Sequence, residues 1–195
     1  MLSPRIFALA ALVLGSSSAL AQQPIFFSLH AGGETHDTDI TFAAPDPIDL
    51  EDDGDTLGLG FGYEINENWV VQLDYTYTDA DDVDIEQILL SLNYQLALPI
   101  DRLSAVGGLV IGEGSLEWNN QPETTDFFNS DLDDDESAYG VQLGLKYQLT
   151  THWSTTLMYQ YFDQEFNTHV DTDLGRLEFE HSSAQYLLFS LRYNL

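Results

Sequence analysis

The residues of this sequence that could do chemistry are mostly carboxylates, and they occur in runs. Asp49, Glu51 and Asp53 follow the spacing that opens a calcium-binding EF-hand loop, with Gly54 where that loop has its glycine. The twelfth position is Gly60 instead of a glutamate, so the runs predict loosely bound Ca²⁺ or Mg²⁺ and no other cofactor. Plain solubility, for example in a saline habitat, is the alternative explanation of the acidity. The candidate ligands are Asp49, Glu51, Asp53, Asp55, Asp131, Asp133 and Asp135.

Catalytic chemistry finds little support in the remaining reactive residues. The chain has no cysteine, which removes thiolate catalysis and cysteine-ligated metals. His181 and Ser183 form an H-x-S step, but no acidic residue follows Ser183 to orient the histidine as a catalytic triad requires. The other histidines show no metal-ligand spacing; they are His30, His36, His152 and His169. We therefore expect a protein that is not an enzyme.

The elements that must position these residues are β-strands. Apolar and polar residues alternate from Ile25 onward, as in residues 139–147, which read Tyr-Gly-Val-Gln-Leu-Gly-Leu-Lys-Tyr. Period two predicts a sheet with one face in an apolar medium. No stretch is long and apolar enough for a membrane-spanning helix. Eight alternating segments occur, near residues 25–33, 56–65, 69–78, 88–96, 103–114, 139–147, 153–162 and 187–195.

The two faces of these segments differ in a way that predicts a membrane barrel. Aromatic residues lie at the ends of the apolar face, where membrane-interface girdles sit, whereas a soluble β-sandwich would keep that face inside. The fold prediction is all-β: an eight-stranded antiparallel up-and-down transmembrane β-barrel with short periplasmic turns and long acidic extracellular loops. The main interface residues are Trp69, Trp153, Tyr75, Tyr159 and Tyr193.

The polar face of the same strands predicts a lumen with its own charges. Glu64, Asp74, Lys146 and Arg192 all fall on the polar parity. In a barrel of eight strands the interior is only wide enough for side chains, so acid–base pairs would bridge and close it. A gate in a narrow solute path is the alternative, because inward-facing glycines such as those at 58, 60, 62, 108 and 112 leave room.

The connections between strands carry most of the charge. Short turns near residues 66–68, 99–101 and 150–152 alternate with acidic segments at 34–55, 79–84, 119–136 and 163–181. These four segments hold 26 of the 33 acidic residues, and the formal net charge of the chain is −28. Such a charge excludes a phosphate-neutralising surface for nucleic acid. Outer-membrane barrels place long loops outside, so the acidic end is expected to face outward.

The N-terminus predicts export. Arg5 precedes an apolar run at residues 6–14, and Ala19, Leu20 and Ala21 form an A-x-A cleavage site. The domain prediction is therefore a signal peptide at residues 1–21, cleaved near Ala21, and a barrel domain at residues 22–195.

Three segments of the chain resemble a known protein family. They are the glycine-rich strand Gly58-Leu59-Gly60-Phe61-Gly62-Tyr63, the turn before Trp69 and the final strand at residues 187–195. These segments resemble the OmpA-like and OmpX-like small outer-membrane β-barrels of the porin family. The resemblance implies a monomer in the cell outer membrane. Its partners would be membrane lipids, lipopolysaccharide and, through the C-terminal strand, the barrel-assembly machinery. The H-x-S step resembles the lipid A deacylase barrels, but without their downstream acid. The expected function is membrane stabilisation or surface interaction, with a narrow solute channel as the alternative.

Overall fold

The computed structural model describes residues 24–41, 48–80, 83–118, 134–172 and 175–195, and side chains at 24–35, 53–80, 84–116, 136–163 and 183–195. Eight antiparallel strands follow one another around a closed barrel, and β8 returns to pair with β1. The strands are β1 Ile25–Thr41, β2 Ile48–Glu64, β3 Trp69–Ala80, β4 Val83–Ala97, β5 Leu103–Trp118, β6 Asp134–Gln148, β7 Trp153–Thr172 and β8 Gly175–Asn194. The predicted eight-stranded up-and-down barrel is confirmed.

Three short turns close one end of the barrel, called the turn end here. Two of them are built alike, as the repeated Tyr-x-x-x-x-x-Trp spacing in the sequence suggests. The side-chain oxygen of Asn66 accepts a hydrogen bond from the Trp69 amide at 3.0 Å, and that of Thr150 accepts one from the Trp153 amide at 3.0 Å. Such local side-chain bonds replace the ladder where the chain reverses.

The opposite end, called the acidic end, is built differently from the sequence expectation. Segments 34–55 and 163–181 are predicted as loops but lie mostly in strands, because β1 continues to Thr41 and β7 to Thr172. Ladder hydrogen bonds join backbone groups and do not need apolar side chains, and an antiparallel sheet can be polar where it meets water. Strands β7, β8, β1 and β2 therefore form a four-stranded extension beyond the rest of the wall.

The outer wall of the barrel is an apolar belt. Outward side chains near the middle of the strands are exposed and apolar, for example Leu109 at 64% and Leu143 at 67% exposure. The belt ends at exposed polar residues toward the acidic end, such as Thr35, Asp55 and Asp79. Within the described part of the chain, no helix is long and apolar enough to cross a membrane.

Candidate functional site

The lumen is the part of the molecule where polar chemistry is concentrated, and a layer of charges lies nearest the turn end. Arg192 on β8 donates a hydrogen bond from Nη2 to the Glu64 carboxylate on β2. Lys146 Nζ on β6 lies 3.8 Å from the same carboxylate and 3.1 Å from Gln95 Oε1. Arg192 also stacks 3.4 Å from the ring centroid of Phe26. The partly exposed Glu64 carboxylate is thus the counter-charge of two buried cations, Arg192 and Lys146.

Asp74, the fourth residue of the predicted lumen charge network, lies apart from this charged layer. Its Oδ1 is 2.9 Å from His30 Nε2 and accepts a hydrogen bond from Gln72 Nε2 at 2.7 Å. His30 Nδ1 lies 2.7 Å from Ser190 Oγ. All four predicted residues are on the lumen side, but only Glu64, Lys146 and Arg192 come together.

His30 is a lumen residue that the sequence analysis counted among the scattered histidines. The alternation along β1 could have placed it in the lumen. His30 has the same even parity as the buried Ser28, and its neighbours Leu29 and Ala31 point outward. Ser190, His30 and Asp74 have the connectivity of a Ser-His-Asp triad, with both ring nitrogens engaged. The cavity beside them measures about 50 Å³. That volume has room for one or two waters at ~30 Å³ each and is far below the volume of an acyl chain.

Side-chain amides of β4, β6 and β7 form a hydrogen-bonded network along the inner wall of the lumen. Gln142 on β6 donates to Asn93 Oδ1 on β4, and Gln160 on β7 donates to Gln142 Oε1 at 2.7 Å. Asn93 donates in turn to Ser91 Oγ at 3.0 Å. Buried amides are tolerated when their hydrogen bonds are made, and here residues of β4, β6 and β7 make them with one another.

Toward the acidic end one part of the lumen is an apolar layer, although strand parity predicts a polar inner face; buried polar side chains, among them Glu34, Thr56 and Gln87, lie beside it. Phe162 and Tyr186 pack edge to face with ring centroids 5.4 Å apart. Five strands contribute to this apolar layer, no strand giving more than a few residues, which is why no single segment of sequence predicts it. Its members are Leu89, Val110, Ala138, Phe162, Ala184, Tyr186 and Leu188.

The inward glycines do not leave open space beside them. A Cβ atom added at Gly60 would overlap Ser28, His30 and Asp74, and one added at Gly62 would overlap the Phe26 ring. Asn93 and Leu89 occupy the corresponding space at Gly108 and Gly112; the space that glycine vacates is filled by its neighbours.

The carboxylates predicted to hold divalent cations lie in the extension or outside the described residues. Asp53 and Asp55 are exposed on β2, and Asp53 accepts a hydrogen bond from Thr35 Oγ1 at 3.1 Å. The described side chains form no group of three or more that could hold a metal ion, so cation capture stays a prediction. Asp131 and Asp133 lie outside the described residues, and Asp49, Glu51 and Asp135 lie on strands without described side chains.

The predicted interface residues all lie on the outer wall. Trp153 and Tyr193 pack at 4.8 Å near the turn end, where Trp69 packs against Tyr94 at 5.1 Å. Tyr75 and Tyr159 are exposed farther toward the acidic end.

The model of the family described as "Outer membrane protein beta-barrel domain" matches residues 7–181. Neisserial surface protein A is 16% identical, covers 87% of this chain and 97% of its own, and superposes with a TM-score of 0.60. Outer membrane protein OprG of Pseudomonas aeruginosa is 17% identical, with 89% and 97% coverage and a TM-score of 0.61. AlkL, solved in lipid bilayers, is 18% identical, with 92% and 94% coverage and a TM-score of 0.55. No curated protein sequence matches the chain significantly. At these identities the structures share the fold alone.

Proposed function

Because the chain belongs to the outer membrane protein β-barrel domain family, we propose that it is a non-enzymatic barrel with a self-closed lumen and an acidic, surface-acting end. The observation that carries this proposal is the filling of the lumen in successive layers. The Glu64 cluster lies nearest the turn end, the amide network of Gln142 follows, and the apolar layer around Phe162, with buried Glu34 and Gln87 beside it, comes last. A lumen filled in this way suits a structural barrel better than a pore.

The asymmetry of the connections supports the proposal that the acidic end faces the cell surface. The turn end has three short turns, and outer-membrane barrels keep such turns on the periplasmic side. The acidic end would then meet lipopolysaccharide, whose phosphates it could approach through shared Ca²⁺ or Mg²⁺. Cleavage of the signal near Ala21, assembly through the C-terminal strand and a monomeric state belong to the same proposal.

The proposal includes no catalytic activity, because the cluster of Ser190, His30 and Asp74 is enclosed in the lumen. Ser190 and His30 are buried in the lumen, and the cavity beside them is about 50 Å³. The strand amides around them belong to the ladder pairs of β1 and β8, so they are not arranged as an oxyanion hole.

A narrow solute channel is the second candidate, and the cavity favours it. The cavity is lined by polar side chains, including His30 and Gln160, and reaches the charged layer at Lys146 and Arg192. A path through the barrel then needs the apolar layer to move as well.

Planar-bilayer conductance of the purified protein distinguishes the two candidates. We expect the wild type and the single variants Glu64→Gln and Phe162→Ala to be silent, because each leaves two of the three closing layers intact. The triple variant that adds Gln142→Ala should conduct. Leu143→Ala, which removes a lipid-facing side chain, is the matched control and should stay silent. Steady conductance by the wild type would favour the channel and overturn the closed barrel.

A further inference from the structure

Two neighbouring strands of the wall separate before they end. Strands β6 and β7 pair from Gln148 and Ser154 up to Tyr139 and Asp163, where β7 has a register irregularity before Phe166. Beyond that point β7 pairs only with β8 on its other side, through residues 166–172. Residues 134–137 of β6 pair only with β5. Within the described strands, both backbones that border this gap lack a ladder partner on the side facing it.

An unpaired strand edge is a template for another strand. Its N–H and C=O groups are already held at ladder spacing, so a segment that lies alongside can form hydrogen bonds without reorganising the sheet. Most of this barrel has no such edge because β8 closes on β1. The β6–β7 gap is also bordered on two sides, so one inserted segment would find backbone partners on both.

The strands that border the gap carry acidic residues, and their charge favours a basic partner. Asp134, Asp135 and Glu136 are consecutive on the β6 border, and Asp171 lies on the β7 border. A second copy of this chain would bring the same acids, and like charges placed across a strand pair are destabilising. An extended segment rich in lysine or arginine would be attracted.

We propose that an extended basic segment of a partner protein adds as a strand in the gap between β6 and β7. The inference rests on the proposed surface role of the acidic end, because only there would the gap meet external partners. Backbone hydrogen bonds would hold the segment, and the acidic positions would restrict it to basic sequences.

The test uses the full barrel in lipid nanodiscs and a fluorescent nine-residue peptide of alternating lysine and threonine. One control peptide carries N-methyl groups at alternate residues, which keeps its charge but removes ladder donors; a second has glutamate for lysine. At ~0.15 M salt the parent peptide should bind at least about tenfold more tightly than the N-methylated one, since several ladder hydrogen bonds are lost. The glutamate peptide should not bind. The backbone amides of residues 166–172 that point into the gap, which are alternate residues because the others bond to β8, should become protected from hydrogen exchange.

Charge variants of the protein give a matched comparison. Glu136→Lys at the gap should weaken peptide binding about threefold or more, whereas Glu67→Lys, the same change in a turn at the opposite end, should leave it unchanged. Equal binding of the parent and N-methylated peptides would reduce the interaction to charge alone and overturn the proposal. Protection of the gap-facing amides of residues 166–172 without peptide would also overturn it, since this chain or another copy would then cover the edge. Neither result bears on lumen closure, which the conductance experiment tests separately.

Discussion

The Glu64→Gln substitution tests the charged layer of the lumen. Arg192 and Lys146 are 6% and 9% exposed, and both contact the Glu64 carboxylate. Glutamine keeps the size and a hydrogen-bonding oxygen but removes the negative charge. Two neighbouring buried cations would then share a site without their counter-charge, a condition that strongly destabilises folded proteins.

The expected loss is about 2–4 kcal/mol in the free energy of unfolding. Removing one partner of a fully buried ion pair costs roughly 3–5 kcal/mol. The Glu64 side chain is 38% exposed, so water already screens part of the interaction. The expected loss of about 2–4 kcal/mol is therefore smaller than for a fully buried pair. The lost hydrogen bond to Arg192 alone, being charge-assisted, contributes roughly 1.5–3 kcal/mol.

Urea unfolding in lipid vesicles, followed by tryptophan fluorescence, measures the change. The midpoint should fall while the slope with denaturant stays constant, because the surface exposed on unfolding is the same. Asp101→Asn, at an exposed turn, is the matched control and should lie within about 0.5 kcal/mol of the wild type. Adding Lys146→Gln to Glu64→Gln should recover about 1–2 kcal/mol relative to additivity, because it removes one unbalanced cation. If Glu64→Gln behaves like Asp101→Asn, the assigned counter-charge role is wrong.

Three further predictions use the same unfolding assay or limited proteolysis. Gly60→Ala should destabilise the barrel by roughly 1–3 kcal/mol because its Cβ meets three lumen side chains. Gly107→Ala, whose Cβ would lie 3.8 Å from Leu143 Cδ1, should cost less than about 1 kcal/mol; similar costs for the two variants would contradict the packing described. Leu143→Arg on the apolar belt should cost roughly 2–4 kcal/mol and Glu67→Arg in an exposed turn about 0–0.5; a tolerated Leu143→Arg would argue against lipid contact there. Millimolar Ca²⁺ or Mg²⁺ should protect the acidic end from protease more than Na⁺ of equal ionic strength; equal protection would leave charge screening as the whole effect.

Much of the fold could be predicted from local patterns, because in a strand the type of residue at alternate positions reports which face meets an apolar medium. Residues 139–147 illustrate this: the apolar Tyr139, Val141 and Leu143 are exposed on the outer wall, and Gln142 is buried in the lumen. Parity alone also places Glu64 and Arg192 inside. The same argument fails in the extension, where strand pairing continues between residues 34 and 41 without the apolar alternation that marks a strand.

The contacts inside the lumen could not be predicted in this way. His30 meets Asp74 from β3 and Ser190 from β8, and Ser190 is 160 positions away along the chain. Parity places each of them inside, but which inward residues share a level depends on the stagger of the strands and on the closure of β8 against β1. The apolar layer around Phe162 is assembled from five strands in the same way. The sequence by itself determined the barrel, its two faces and the inward charges; the tertiary structure alone decided which of those charges meet, because stagger and closure are properties of the whole sheet.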